Sequence, residues 1–371
     1  MKSPHPNPYR PTPSARVRWV SALAGWILVL TLPPLLAHRA GWWLLVLSPV
    51  IGAYFVSWLG MLRHELWHGY VDGLNNRLFY RVTCFALCVD PETYRLSHAS
   101  HHLHANTDRD MQMYPEGFLR HPGRARLQFV MELVLGNIAW EVATTARLRR
   151  RGLLTGATIA ANLPGRLVLP GFLALFFAGL APEAAGLAAA NFILMCGSGS
   201  IMTRHNQWLQ HLGIFATGDD DARNCLTRNL RNQTILERVV NFLNHDDSVA
   251  HTYHHTEPGT YTRLEPGLQP ASNHVQITLP EYWEVLWAFY RELFGKSPNF
   301  RVLHLDGSKS RPEEYAGSGK ADRPIPAVRS GIRVHTITNT GHRAMPTLIP
   351  LPMATPAIDF RPVARPPKSS G

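Results

Sequence analysis

The strongest constraint in this chain is its pattern of long uncharged apolar runs. Trp19 to Ala37 and Gly41 to Leu62 each lack Asp, Glu, Lys and Arg. Each is about 20 residues, the length a helix needs to cross a ~30 Å hydrocarbon core at ~1.5 Å per residue. Only a short link containing His38 and Arg39 separates them, which predicts a helical hairpin with both ends on one side. A signal peptide is the alternative for the first run, since Arg16 and Arg18 precede it; the length of the run and the second span directly after it favour the hairpin. Leu153 to Ala181 is apolar but interrupted by Pro164, Arg166 and Pro170, and Ala184 to Thr203 is uncharged. These predict a second hairpin turning at Pro182 and Glu183. Leu78 to Val89 is too short to span and is expected at the interface. Leu127 to Ala146, with Glu132 and Glu141 inside it, is expected as an amphipathic helix.

The expected fold is therefore an all-α integral membrane protein, about four transmembrane helices in two hairpins with a cytosolic helical cap. Residues 1–15 read as a disordered arm and 16–304 as the membrane domain. Residues 305–371, rich in Pro, Gly, Ser and Arg, read as a disordered basic tail. The formal net charge is +11, and the tail holds ten Lys/Arg against five Asp/Glu. Much of the remaining positive charge flanks apolar runs, as in Arg147, Arg149, Arg150 and Arg151. Cations beside spans mark the cytoplasmic side, so both termini and the histidine clusters are expected there. Nucleic-acid binding is the rival use of a basic chain, but no motif supports it. The cysteines Cys84, Cys88, Cys196 and Cys225 form no CxxC pair. Cys84 and Cys88 are expected to share a helix face as small buried residues.

The 19 histidines are the unusual part of the composition, and they cluster. His64-Glu65-Leu66-Trp67-His68 follows the second span directly. On a helix, positions i and i+4 project from one face, so both imidazoles can converge on one metal region. The same pentapeptide matches HExxH, in which two His bind zinc and the Glu is general base. That reading needs a third ligand and leaves the later clusters unused. The second cluster is His98-Ala99-Ser100-His101-His102, with His104 close behind, and the third is His251-Thr252-Tyr253-His254-His255. Buried neutral imidazoles in such number need hydrogen-bond partners or a metal. Eight nitrogens exceed what one ion can use, and imidazole suits iron, zinc, copper and nickel.

In order and spacing these boxes resemble the membrane fatty-acid desaturase and hydroxylase superfamily. The resemblance covers about Trp19 to Tyr290. It extends to the Pro soon after the last box (His255-Thr256-Glu257-Pro258) and to the acidic stretch after the second (Thr107-Asp108-Arg109-Asp110). It implies His64, His68, His98, His101, His102, His251, His254 and His255 as ligands of two iron ions. It adds a ninth ligand after the fourth span, a helical turn beyond an amide residue. Gln207-Trp208-Leu209-Gln210-His211 fits that pattern, with His205 and Asn244-His245 as rivals. Asp108, Asp110, Asp246 and Asp247, together with Gln207, Asn244 and His245, are the candidates for orienting imidazoles. His104, His121, His274 and His304 are read as surface or supporting residues.

The implied activity is oxygen-dependent desaturation of an alkyl chain, with a fatty-acyl lipid as the default substrate. A hydroxylase, alkane-type monooxygenase or ketolase on the same scaffold is the alternative, and Glu65 resembles the alkane hydroxylases. A membrane zinc peptidase is more remote. A metal transporter would place polar residues inside its spans, and these spans are nearly free of them. His121-Pro122-Gly123-Arg124 resembles only part of a haem-binding HPGG motif. No fused haem domain is expected, so electrons must come from a separate donor such as a ferredoxin-like protein. Trp58, Trp67, Trp140 and Trp208 are candidates for lining an apolar tunnel or for interfacial anchoring.

Overall fold

Length and apolarity settle the architecture. The computed structural model describes residues 15–68, 75–106, 110–115, 122–212, 227–249, 251–256, 275–295, 300–303, 309–310 and 327–328. Among these it is almost wholly helical. Four helical stretches are long and apolar enough to cross a membrane: Arg16–Ala40, Trp42–His68, Gly156–Leu180 and Pro182–His211. They form the two expected hairpins. The first joins α1 (Ala15–Ala40) to α2 (Ser48–His68) through Gly41 and a 3-10 turn, Trp42–Leu47. The second joins α7 (Gly156–Leu180) to α8 (Ala185–His211) through Pro182–Ala184. Helix α7 runs unbroken through Pro164 and Pro170, as helices in apolar surroundings tolerate.

The second and fourth spans are longer than a bilayer needs, at 27 and 30 residues. At ~1.5 Å per residue the fourth is ~45 Å long against a core of ~30 Å. Their surplus turns carry His64, His68 and His211 at the ends of α2 and α8. The two helices pack closely because small residues sit at the crossing. A Cβ at Gly52 would lie 2.6 Å from the Met195 backbone. In the same region Asn191 donates to the carbonyl of Val29 at 3.0 Å and bonds the Ser48 hydroxyl, tying α8 to α1 and α2.

A helical cap completes the chain, with α3 (Asn76–Ala86), α4 (Pro91–His104), α5 (Pro122–Leu135), α6 (Asn137–Arg150), α9 (Ile235–Leu243), α10 (His251–Thr256) and α11 (Leu279–Phe294). The stretch expected as one amphipathic helix is two, α5 and α6. They break at Gly136, whose φ of 53° and close approach to the Ser200 carbonyl exclude a side chain. Cys84 lies buried in α3 but Cys88 lies beyond the helix end at φ 56°, so the two do not share a helix face. Helix α9 is inverted. Glu237 and Asn241 are buried while Ile235, Leu236 and Phe242 are exposed, and Phe242 stacks on Tyr54 of the second span.

Strand is confined to short pieces. β1 (Arg228–Leu230) pairs in parallel with β2 (Val275–Ile277). β3 (Phe300–Leu303) pairs antiparallel with β4 (Lys309–Ser310) and β5 (Ala327–Val328), the last two lying in the stretch expected to be disordered. The expected N-terminal arm, up to residue 14, and the rest of the basic tail lie outside the described residues.

Candidate metal centre

Each histidine box is a helix segment, and the helix of the second is capped at its start. Asp90 caps α4 by accepting from the Thr93 N–H at 2.8 Å, and Pro91 occupies the first turn. This presents His98 and His102 on one face, with His101 turned to the next. Helix α10 presents His251 and His255 together, with His254 turned away. Folding brings the boxes together in two groups. His64, His68, His98, His102 and His254 form one, and His101, His211, His251 and His255 form the other. Within each group the ligand atoms lie within 4.8 Å of one another. Each HxxHH box thus sends its i,i+4 pair to one group and its middle imidazole to the other.

The contacts run through Nε2. In the group of five, His64 lies 2.8 Å from His254, His254 lies 3.0 Å from His102, and His98 lies 3.2 Å from His102 and 3.1 Å from His68. In the group of four, His101–His255 is 3.1 Å, and His251 is 3.0 Å from both His211 and His255. Burial, reinforced by the neighbouring imidazoles, holds His98, His102, His254 and His255 well below the ordinary histidine pKa. They are therefore neutral, the form that ligates metal.

The partners on the other ring nitrogen decide which atom carries the lone pair. His101 donates from Nδ1 to Asp110 Oδ2 at 2.7 Å, His98 to Gln112 Oε1 at 2.8 Å, and His211 to Asn106 Oδ1 at 3.2 Å. His251 Nδ1 lies 3.5 Å from Asp247 Oδ1. Asp247 is itself gripped by Asn206 and Gln210. Burial pushes the Asp247 carboxyl up, but His251, His64 and Gln210 outweigh it and hold it down to about 2.

Hydrogen bonds among neutral imidazoles cannot satisfy the group of four. With their Nδ1 protons committed, His101 and His211 can only accept at Nε2. His255 and His251 would then both donate, and their own 3.0 Å contact would set two N–H groups face to face. A cation among the four lone pairs resolves this. Two nitrogens bound at a right angle at ~2.1 Å lie ~3.0 Å apart, the spacing seen in both groups.

Two of the orienting side chains, Asp110 and Gln112, hang from one short segment. Asp110 Oδ1 accepts from the N–H groups of Gln112 and Met113. Buried Arg204 donates to the carbonyls of Gln112 and Met113 at 2.7 Å each, and Arg147 donates to those of Met111 and Tyr114 at 2.8 and 3.0 Å. Arg204 is paired with Glu132 at 2.7 Å, both side chains fully buried. Trp67 packs edge-on against His68 and His98, with ring centroids 4.4 and 4.7 Å apart, and lies parallel to His102.

Several expected positions lie elsewhere. Gln207 accepts from Arg204 at 3.0 Å instead of meeting an imidazole. Asn244 closes the end of α9. His245, at φ 54°, stacks on Trp58 and meets the Tyr54 carbonyl at 3.1 Å. His205 bonds the Ile201 carbonyl and the Tyr290 hydroxyl, and His104 lies outside both groups. Trp208 is packed in a core with Phe129 and Phe289. Glu65 pairs with Arg18 at 3.8 Å. Asp108, His121, His274 and His304 lie outside the described residues. Sequence reasoning missed Gln112 and Asn106, which lie in loop segments with no periodic signal.

A family model described as fatty acid desaturase matches residues 40–290. The chain belongs to the fatty acid desaturase family. At family level this chain is an oxidoreductase, and its four apolar helices make it an integral membrane protein. No curated protein matches the chain.

Proposed function

We propose that this desaturase-family chain is a membrane-bound di-iron oxidoreductase that uses dioxygen and two electrons to desaturate an alkyl chain, with a fatty-acyl lipid as substrate. The observation that carries this is the convergence of nine imidazole nitrogens into groups of five and four. His64, His68, His98, His102 and His254 would hold one iron, and His101, His211, His251 and His255 the other. Two irons supply the oxidising power that removal of hydrogen from an unactivated C–H requires and that no side chain provides. In balance, the alkyl segment loses two hydrogens, dioxygen takes them with two electrons and two protons, and two waters leave.

The protein supplies position and dryness. The imidazoles hold a cation without adding charge, and Asp110, Gln112, Asn106 and Asp247 fix their ring orientation. Burial of the boxes excludes water from a reactive centre. The position of His64, His68 and His211 at the ends of the long helices α2 and α8 supports a centre beside the bilayer, where an alkyl substrate can reach it. Arg147, Arg149, Arg150 and Arg151 flank the third span, which supports a cytoplasmic position for the boxes and both termini. That basic face suits an acidic ferredoxin-like electron donor.

The test is the metal content of the detergent-purified protein beside His101→Ala. Two irons per chain in the wild type, largely lost in the variant, is the expected result. Zinc at one per chain, unmoved by His101→Ala, would overturn it.

A further inference from the structure

Beside the histidine groups lies a cavity of about 480 Å³, within the size range of small-molecule sites. Among the described residues, none of the nine imidazoles lines it. On α2 it is bounded by Val56, Gly60 and Arg63, about a quarter-turn around the helix from His64 and His68. Helix α6 covers it from the other side.

The cavity has two unlike parts. Trp26, Val56, Leu87 and Phe192 give it an apolar wall. Buried Arg63, whose guanidinium lies 3.8 Å over the Tyr94 ring, together with Arg149 and Arg166 at the rim, gives it a cationic end, against the single carboxylate of Glu141. Glu141 is already engaged, by Arg166 at 3.2 Å and by the Asp90 N–H at 2.8 Å. Two buried polar atoms of lining residues, Arg63 Nε and Asn137 Oδ1, have no hydrogen-bond partner among the described residues. Arg63 is only 7% exposed, so bulk water does not satisfy it. At Gly60 a Cβ would meet no atom within 4 Å, so the wall stays open there.

We propose that this cavity binds a single-chain amphiphile with an acidic head, a carboxylate or a phosphate, apart from the metal centre. The alkyl chain lies along Trp26, Val56, Leu87 and Phe192. The head meets Arg63 and Arg149, where a charge-assisted bond to the guanidinium fills the donor left over at Arg63. Arg63 immediately precedes the first histidine box and Arg149 lies in the last turn of α6 beside Arg150 and Arg151. The rim is thus at the end of the spans, the level at which acidic lipid headgroups meet basic side chains.

Native mass spectrometry of the iron-loaded full chain in detergent tests this, with laurate, dodecyl phosphate, dodecanol and inorganic phosphate as probes. The expected result is one retained molecule of laurate or dodecyl phosphate, with dodecanol about tenfold weaker. Gly60→Phe, which fills the cavity, should weaken both acids at least about tenfold while iron content stays at the wild-type level. Arg149→Gln, on the exposed rim, should erase most of the preference for acid over alcohol, and it decides the matter if Gly60→Phe fails to hold iron. Wild-type binding of laurate by Gly60→Phe, or dodecanol matching laurate, would overturn the proposal. Inorganic phosphate binding as tightly as dodecyl phosphate would overturn it as well, by reducing the site to an anion pocket.

Discussion

The two histidine groups are built from the same boxes, yet they are held differently. In the group of four, His101 and His251 face the carboxylates Asp110 and Asp247, and His211 faces the Asn106 amide. In the group of five, His98 has the neutral Gln112 amide, and the Nδ1 atoms of His102 and His254 have no hydrogen-bond partner among the described residues; His251 Nδ1 has none either, but it lies 3.5 Å from the Asp247 carboxylate. Fewer ligands with anionic support stand against more ligands with less support. A carboxylate behind an imidazole fixes the tautomer and raises ligand basicity. On the proposed di-iron reading, the smaller group would therefore compensate in ligand strength for what it lacks in number, and its remaining imidazoles would be harder to replace.

Removing one ligand from each group gives the largest contrast. His255→Ala leaves three imidazoles and His254→Ala leaves four. Iron content should fall from two toward one in both, more completely in His255→Ala, with turnover lost in each. Equal retention of two irons by both variants would break the division into groups. Arg204→Met comes next. It strands Glu132 in a fully buried site and removes two bonds to the segment that supports both groups. The expected cost is about 3–5 kcal/mol of stability, read from chemical unfolding, with weaker iron retention in both groups. A loss confined to one group would show that the segment does not support them jointly. Smaller again is Asp110→Asn, which keeps the shape and removes the charge. Iron affinity should drop about 10–100-fold, with Gln112→Leu at or below the lower end of that range. The reverse order would sink the argument from carboxylate support.

Much of this was legible in the sequence for physical reasons. Uncharged runs of span length permit little besides membrane helices, and the four spans lie where the runs lie. The i,i+4 and HxxHH spacings single out the imidazoles that the structure gathers, because helical periodicity fixes which side chains share a face. Assignment to groups was not legible. It depends on how α4 and α10 face each other, a contact between residues about 150 positions apart, of which His101–His255 is one. Gln112 and Asn106 were invisible for a different reason: nothing periodic marks a loop amide that meets an imidazole ring. Gln207, Asn244 and His245 were plausible by proximity in sequence, but Arg204, the end of α9 and Trp58 claim them instead.

Asp110 and Gln112 are separated by one residue, yet they steady imidazoles from different groups. The two halves of the centre therefore share a mechanical linkage. Ordering His101 by filling one half also sets the anchor from which His98 is aimed into the other. Filling the first half removes part of the entropy that the second would otherwise have to lose. If the two groups hold the proposed irons, the second would then enter more readily than the first, and intermediate loading would give a mixture of empty and doubly filled molecules with few half-filled ones.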